Sequence, residues 1–219
     1  MTLEEQIDRS LAYFTNPRHE SSFELLPGEG CVMVSAPHAV LQTRCGNLKW
    51  AERYTGMLCQ LLHSRLNCPV IYKTRHLGDD ANHDPVSGYR DAVCDHARRH
   101  GLRFLLDLHQ LAPERPMDLC VCTGKGRHLM GDTRLVETVG DCFRRQGILR
   151  ITADDPFDAS SPHTVSATAS ARCGIPSVQL ELNTRLLMKE SEAYCFVRVL
   201  DALAELVGVL NTQRVSGVG

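Results

Sequence analysis

Short apolar runs, each divided from the next by a stretch with helical spacing, narrow most what this chain can fold into. Residues 31–36, 69–73, 104–108, 118–122, 148–152 and 176–182 have the length and composition of buried strands. Between them lie segments with apolar residues at helical spacing. Leu3, Ile7, Leu11 and Phe14 mark a first helix over 3–14. Leu48, Ala51, Tyr54, Leu58, Leu61 and Leu62 predict a second over 48–66. Ser87 can cap a third that ends at Gly101. Further helices are expected over 133–146, 165–173 and 189–210, with a frayed tail over 211–219. This alternation predicts an α/β fold: a single-domain three-layer sandwich with a mixed, mostly parallel sheet flanked by helices. The chain has 219 residues, no repeat and no linker-like stretch, so one domain with a core over about 25–210 is expected.

Composition excludes several function classes. Hydrophobic residues make up 43% and charged residues 23%, as in ordinary globular proteins. The net charge of −2 provides no bulk attraction to nucleic acid or to anionic lipid. No apolar run has the length of a membrane span. The opening Met1-Thr2-Leu3-Glu4-Glu5-Gln6 is acidic and amphipathic, unlike a signal peptide, so a cytoplasmic protein with reduced thiols is expected. The ten cysteines are scattered and none forms a Cys-x-x-Cys pair, which argues against a zinc ribbon or redox dithiol. Cys120 and Cys122, two apart in a strand-like run, share a face.

In sheets of this kind ligands bind beyond the carboxyl ends of the strands. Three polar residues stand there: His38 after the first run, His109 after the third and Glu181 near the end of the last. A histidine in such a place is either a hydrogen-bonded structural residue or a ligand. Glu181 alternates with Leu180 and Leu182, so it shares a face with Gln179 and Asn183; that face is a solvated edge or part of a site. Asp107, two residues before His109, falls on its face by alternation; it either orients that histidine or is a satisfied core aspartate. Glu52 sits on the flank of the predicted second helix, where a charge is either solvated or functional. Asp79, Asp80, His83 and Asp84 are metal ligands by type, or turn residues that cap the backbone. Arg90 stands where a helix begins, which disfavours a cation; it either pairs with a surface carboxylate or grips a substrate anion.

The elements SAPHAV at 35–40, KWAERYTG at 49–56, DDANHDP at 79–85, YR at 89–90, LLDLHQ at 105–110, DDPF at 154–157, PHT at 162–164 and VQLELN at 178–183 together resemble the N-formylglutamate amidohydrolase family. That family is similar to the zinc carboxypeptidase-like hydrolases. The resemblance implies one catalytic Zn2+ held by His38, His109 and Glu52, with Glu181 as general base. It places Arg90 at the oxyanion and, with Asn82, His163 and Thr164, among the substrate-binding residues. The implied activity is cleavage of the amide of a small N-acyl amino acid, such as N-formylglutamate. The partner is a small molecule, not nucleic acid or membrane. Two departures stand out. Asn82 is followed by His83 where the family often has arginine, which shifts the anion-binding role to Arg90. The carboxypeptidases carry the ligand glutamate three residues after the first histidine, where this chain has Leu41. A carboxypeptidase-type peptidase and a non-catalytic zinc- or ligand-binding protein are the alternatives; a general base has no use in the latter.

Overall fold

The computed structural model describes residues 1–16 and 18–213. Each of the six apolar runs becomes a strand of one sheet, β2 (Val32–Ala36), β5 (Val70–Lys73), β6 (Phe104–Leu111), β7 (Leu119–Cys122), β8 (Ile151–Ala153) and β9 (Ser177–Asn183), which β1 (Phe23–Leu26) joins as a seventh. A separate hairpin pairs β3 (Gln42–Arg44) with β4 (Asn47–Lys49). The sheet order is β1-β5-β2-β6-β9-β7-β8. The pairings are parallel except β1 with β5 and β7 with β9.

Side chains alternate across a strand, so each strand feeds two cores. Val32, Val34, Phe104, Leu106, Val178 and Leu180 face α2 (Arg53–Leu66), α4 (Arg134–Arg145) and α6 (Phe196–Thr212). Met33, Ile71 and Leu105 face α3 (Gly88–His100) and α5 (Val165–Cys173). The result is the expected sandwich of helix, sheet and helix. α1 (Leu3–Thr15) lies outside α2, closed at its start by a capping box in which Thr2 and Glu5 each accept the other's backbone N–H. Gly56 permits this approach, because a Cβ there would stand 2.4 Å from the Phe14 ring. Ser87 caps α3, and Gly101 ends it in the left-handed region at φ +61°.

Three expectations need correction. The second helix begins at Arg53, not at residue 48, because 42–49 fold as the hairpin and leave Leu48 and Trp50 exposed. β1 arises from a segment with no strand-like signal; it is held by antiparallel pairing to β5. The closing helix begins at Phe196, because turn bonds such as Tyr194 N–H to the Ser191 carbonyl occupy the residues before it. Of the tail expected to fray, Asn211 and Thr212 are helical, and 214–219 lie outside the described residues. No described helix is long and apolar enough to cross a membrane.

Candidate functional site

β2 and β6 are adjacent parallel strands, so the residues that follow them emerge side by side. His38 stands two positions after β2, and His109 lies near the end of β6, paired in register with Glu181 on β9. β9 lies between β6 and β7, so Glu181 belongs to an interior strand and not to a solvated edge. All three residues line a cavity of about 440 Å³ at the carboxyl ends of these strands, beside residues 156–161.

Glu52 completes the group, though not from the flank of a helix. It occupies the N-cap position of α2, with φ −94° and ψ 56°, and its backbone N–H donates to the His38 carbonyl at 2.8 Å. That bond places the carboxylate between the imidazoles. Glu52 Oε1 lies 3.1 Å from His38 Nδ1, and Oε2 lies 3.2 Å from His109 Nδ1. The two Nδ1 atoms are 3.2 Å apart. The Gln110 backbone N–H holds Oε2 at 3.0 Å.

The outer nitrogens are committed elsewhere. His38 Nε2 donates to Asp80 Oδ1 at 2.8 Å, and His109 Nε2 donates to Asp107 Oδ2 at 3.2 Å. Both aspartates are fully buried. A carboxylate on Nε2 fixes the tautomer and leaves Nδ1 as the coordinating atom. Four ligand atoms, the two Nδ1 nitrogens and the two oxygens of Glu52, then gather with nearest pairs at 3.1–3.2 Å, and one ligand atom from each residue lies within 4.8 Å of the others. Tetrahedral zinc, with bonds of about 2.0–2.1 Å, sets its ligand atoms about 3.3 Å apart, so the residues present fit that ion.

The same crowding governs protonation. Burial raises the Glu52 pKa, but the two imidazoles outweigh it and hold the carboxyl at about 2. Burial lowers both histidines, yet their carboxylate partners reverse this and raise them; Glu52 and Asp80 act on His38, and Asp107 and Glu52 on His109. Asp80 lies well below the usual carboxylate range, because His38 and Arg44 together overcome its burial. Glu181 moves the other way: burial, opposed by His109, pushes it up to about 7. Two carboxylates in one cavity thus divide into a permanent anion and a group that exchanges a proton near neutrality.

The remaining expected residues separate. Asn82 and Thr164 line the cavity. The Thr164 hydroxyl accepts the Ala167 N–H as the cap of α5. His163 does not line the cavity; its carbonyl accepts a bond from Arg90. Arg90 does not line it either. Its guanidinium donates to the carbonyls of Ala81 (2.6 Å), His163 (2.8 Å), Asp84 (2.5 Å) and Pro85 (3.1 Å). The cation at this helix start is therefore explained by a cage of carbonyls, not by an anion. Among the described residues lining the cavity, Arg44 is the one arginine or lysine. Its Nε donates to Asp80 Oδ2 at 2.8 Å, and its terminal nitrogens have no partner among the described residues. Residue type alone singled out neither Asp80 among its polar neighbours nor Arg44 among the arginines; burial of the first and the hairpin carrying the second distinguish them.

No family model and no curated sequence matches the chain. Solved structures do. N-formylglutamate amidohydrolase from Ralstonia eutropha JMP134 is 16% identical, with a TM-score of 0.59 over 87% of this chain and 97% of that one. A bacteriophage poly-gamma-glutamate hydrolase is 12% identical, with a TM-score of 0.59 over 88% of this chain and 91% of that one. Succinylglutamate desuccinylase from Chromobacterium violaceum is 12% identical, with a TM-score of 0.54 over 98% of this chain and 76% of that one. The first carries the name of the family that the sequence motifs resemble. The chain therefore has the fold that these three hydrolases share.

Proposed function

We propose that this protein is a zinc-dependent amidohydrolase that cleaves the amide of a small N-acyl amino acid. One observation carries the reading: His38, His109 and Glu52 converge, with nearest ligand atoms 3.1–3.2 Å apart, in a cavity that Glu181 also lines. Zinc held by these three residues supplies a Lewis acid that polarises an amide carbonyl and makes water a better nucleophile near neutral pH.

The other roles fall to the chain itself. Asp80 and Asp107 keep the two imidazoles in the tautomer that presents Nδ1. Glu181 accepts the proton of the attacking water and returns it to the leaving amine. Burial raises its pKa from the ordinary carboxylate range in the metal-free protein, which favours a carboxyl able to take up a proton. Arg44, in place of Arg90, is the cation available to a substrate carboxylate, because it lines the cavity and its terminal N–H groups have no partner among the described residues. The fold shared with an N-formylglutamate amidohydrolase and a succinylglutamate desuccinylase supports an acyl amino acid as substrate.

The test is release of free amine from a panel of N-acyl amino acids by zinc-loaded protein, with and without chelator. Chelation should abolish turnover, and Glu181→Gln should keep the metal while lowering kcat by about 10²–10⁴-fold. Turnover that survives both treatments would overturn the reading.

A further inference from the structure

A line of side-chain amides runs from a backbone N–H to Glu181. The Val165 N–H, at the first residue of α5, donates to Asn82 Oδ1 at 2.7 Å. Asn82 Nδ2 donates to Gln179 Oε1 at 3.1 Å, and Gln179 Nε2 donates to Glu181 Oε1 at 2.8 Å. The direction of this line follows from its ends. A peptide N–H can only donate, so Asn82 must turn its oxygen to Val165 and its nitrogen to Gln179. Gln179 is left with only its amide nitrogen for Glu181. Neither amide can flip alone without setting two donors or two acceptors face to face. Asn82 and Gln179 are 7% and 6% exposed, so water cannot easily replace these partners.

The two oxygens of Glu181 are thereby made different. Oε1 is engaged by Gln179. Oε2 has no hydrogen-bond partner among the described residues, on a residue that lines the cavity. We propose that Asn82 and Gln179 are positioning residues that hold Glu181 by Oε1 and reserve Oε2 as the atom that takes and returns the proton. The relay rests on Glu181 being the general base. Gln179 offers Glu181 a donor and no acceptor, which favours the ionised carboxylate against the effect of burial. The anchor reaches beyond the cavity: Asn82 lines it, with Nδ2 also 3.3 Å from His109 Nε2, and belongs to the 81–85 segment that Arg90 ties to His163, while Val165 begins the helix that follows. Two loops and a strand must therefore agree before the base is aimed.

Gln179→Glu tests this directly. A glutamate still accepts from Asn82 Nδ2, so the packing role of Gln179 survives, but it has no donor for Glu181. Two carboxyls then face each other and share a proton. The expected result is a fall in kcat on the order of tenfold to a hundredfold, with KM and zinc content near wild type; this lies at or below the ~10²–10⁴-fold of losing a base outright. Gln179→Met, which removes donor and acceptor, should fall likewise. Combining Gln179→Glu with Glu181→Gln should add no further loss, because the relay acts only through Glu181. A wild-type kcat in Gln179→Glu, or losses that multiply in the double variant, would overturn the proposal while leaving Glu181 as the base. Full activity in Glu181→Gln alone would remove the base assignment and the relay with it. Nuclear magnetic resonance reads the bond without turnover. One side-chain amide proton of Gln179 should lie downfield of its twin and shift in Glu181→Leu; an unchanged signal in that variant would refute the bond on which the proposal stands.

Discussion

Replacing Arg90 with methionine should lower stability and leave substrate affinity nearly intact. Four guanidinium N–H groups donate to the carbonyls of Ala81, Asp84, Pro85 and His163, and the side chain is 4% exposed. Hydrogen bonds to a charged group contribute about 1.5–3 kcal/mol each, so a simple sum reaches roughly 6–12 kcal/mol. That sum is too large. The bonds to Asp84, Pro85 and His163 are only partly buried, and water can replace the donor there. The bond to Ala81 is buried, so its carbonyl loses a partner outright, at about 1–3 kcal/mol. Removing a desolvated cation recovers part of the loss, and Met keeps most of the packing. A net destabilisation of about 2–4 kcal/mol is expected, which for a domain of this size lowers Tm by roughly 5–15 °C. Urea or thermal unfolding of the metal-loaded variant measures it. Arg90→Lys should recover little, since one ammonium cannot span four carbonyls. An unchanged Tm with a raised KM would refute the cage and restore Arg90 to substrate binding.

Arg44→Met should raise KM for an N-acyl amino acid by about 10–100-fold, the equivalent of about 1.5–3 kcal/mol for a charged hydrogen bond, and should do less to the corresponding amide; equal effects on both would remove Arg44 from carboxylate recognition. Zinc binding at pH 7 should release protons, because both histidines are held above their ordinary range in the metal-free protein and a coordinating nitrogen must be bare. Affinity should accordingly fall as pH is lowered; calorimetric titrations with no dependence on buffer ionisation heat would count against this. Gly56→Ala should lower Tm, because a Cβ 2.4 Å from Phe14 and 2.7 Å from Ala39 overpacks the contact by about 1–3 kcal/mol, more than the helix-propensity gain of about 1 kcal/mol; a raised Tm would show that Phe14 moves aside freely.

Much of the site was legible because strand periodicity is local. Alternation alone sets Glu181 on one face with Gln179 and Asp107 on one face with His109, and both relations hold in the structure. The apolar runs likewise became strands, since a buried strand needs little beyond its own composition to be recognised. Glu52 could be placed only loosely. Its reach to His38 depends on a hairpin that replaces the first turn expected of α2 and on a backbone bond to the His38 carbonyl, and a helical spacing pattern contains neither. Arg90 marks the opposite limit. Its type suits an anion, but the four carbonyls around it come from two loops far apart in the chain. Asp80 is one of several acidic residues in its loop, and only burial against His38 and Arg44 distinguishes it. Sequence by itself determined which residues lie on strands, which face they take and which end of the sheet bears the polar groups, because those depend on neighbours one to four positions away. Tertiary structure decided which strands stand side by side and which loops close over them, because that depends on burial and hydrogen bonds between segments that the local pattern does not relate.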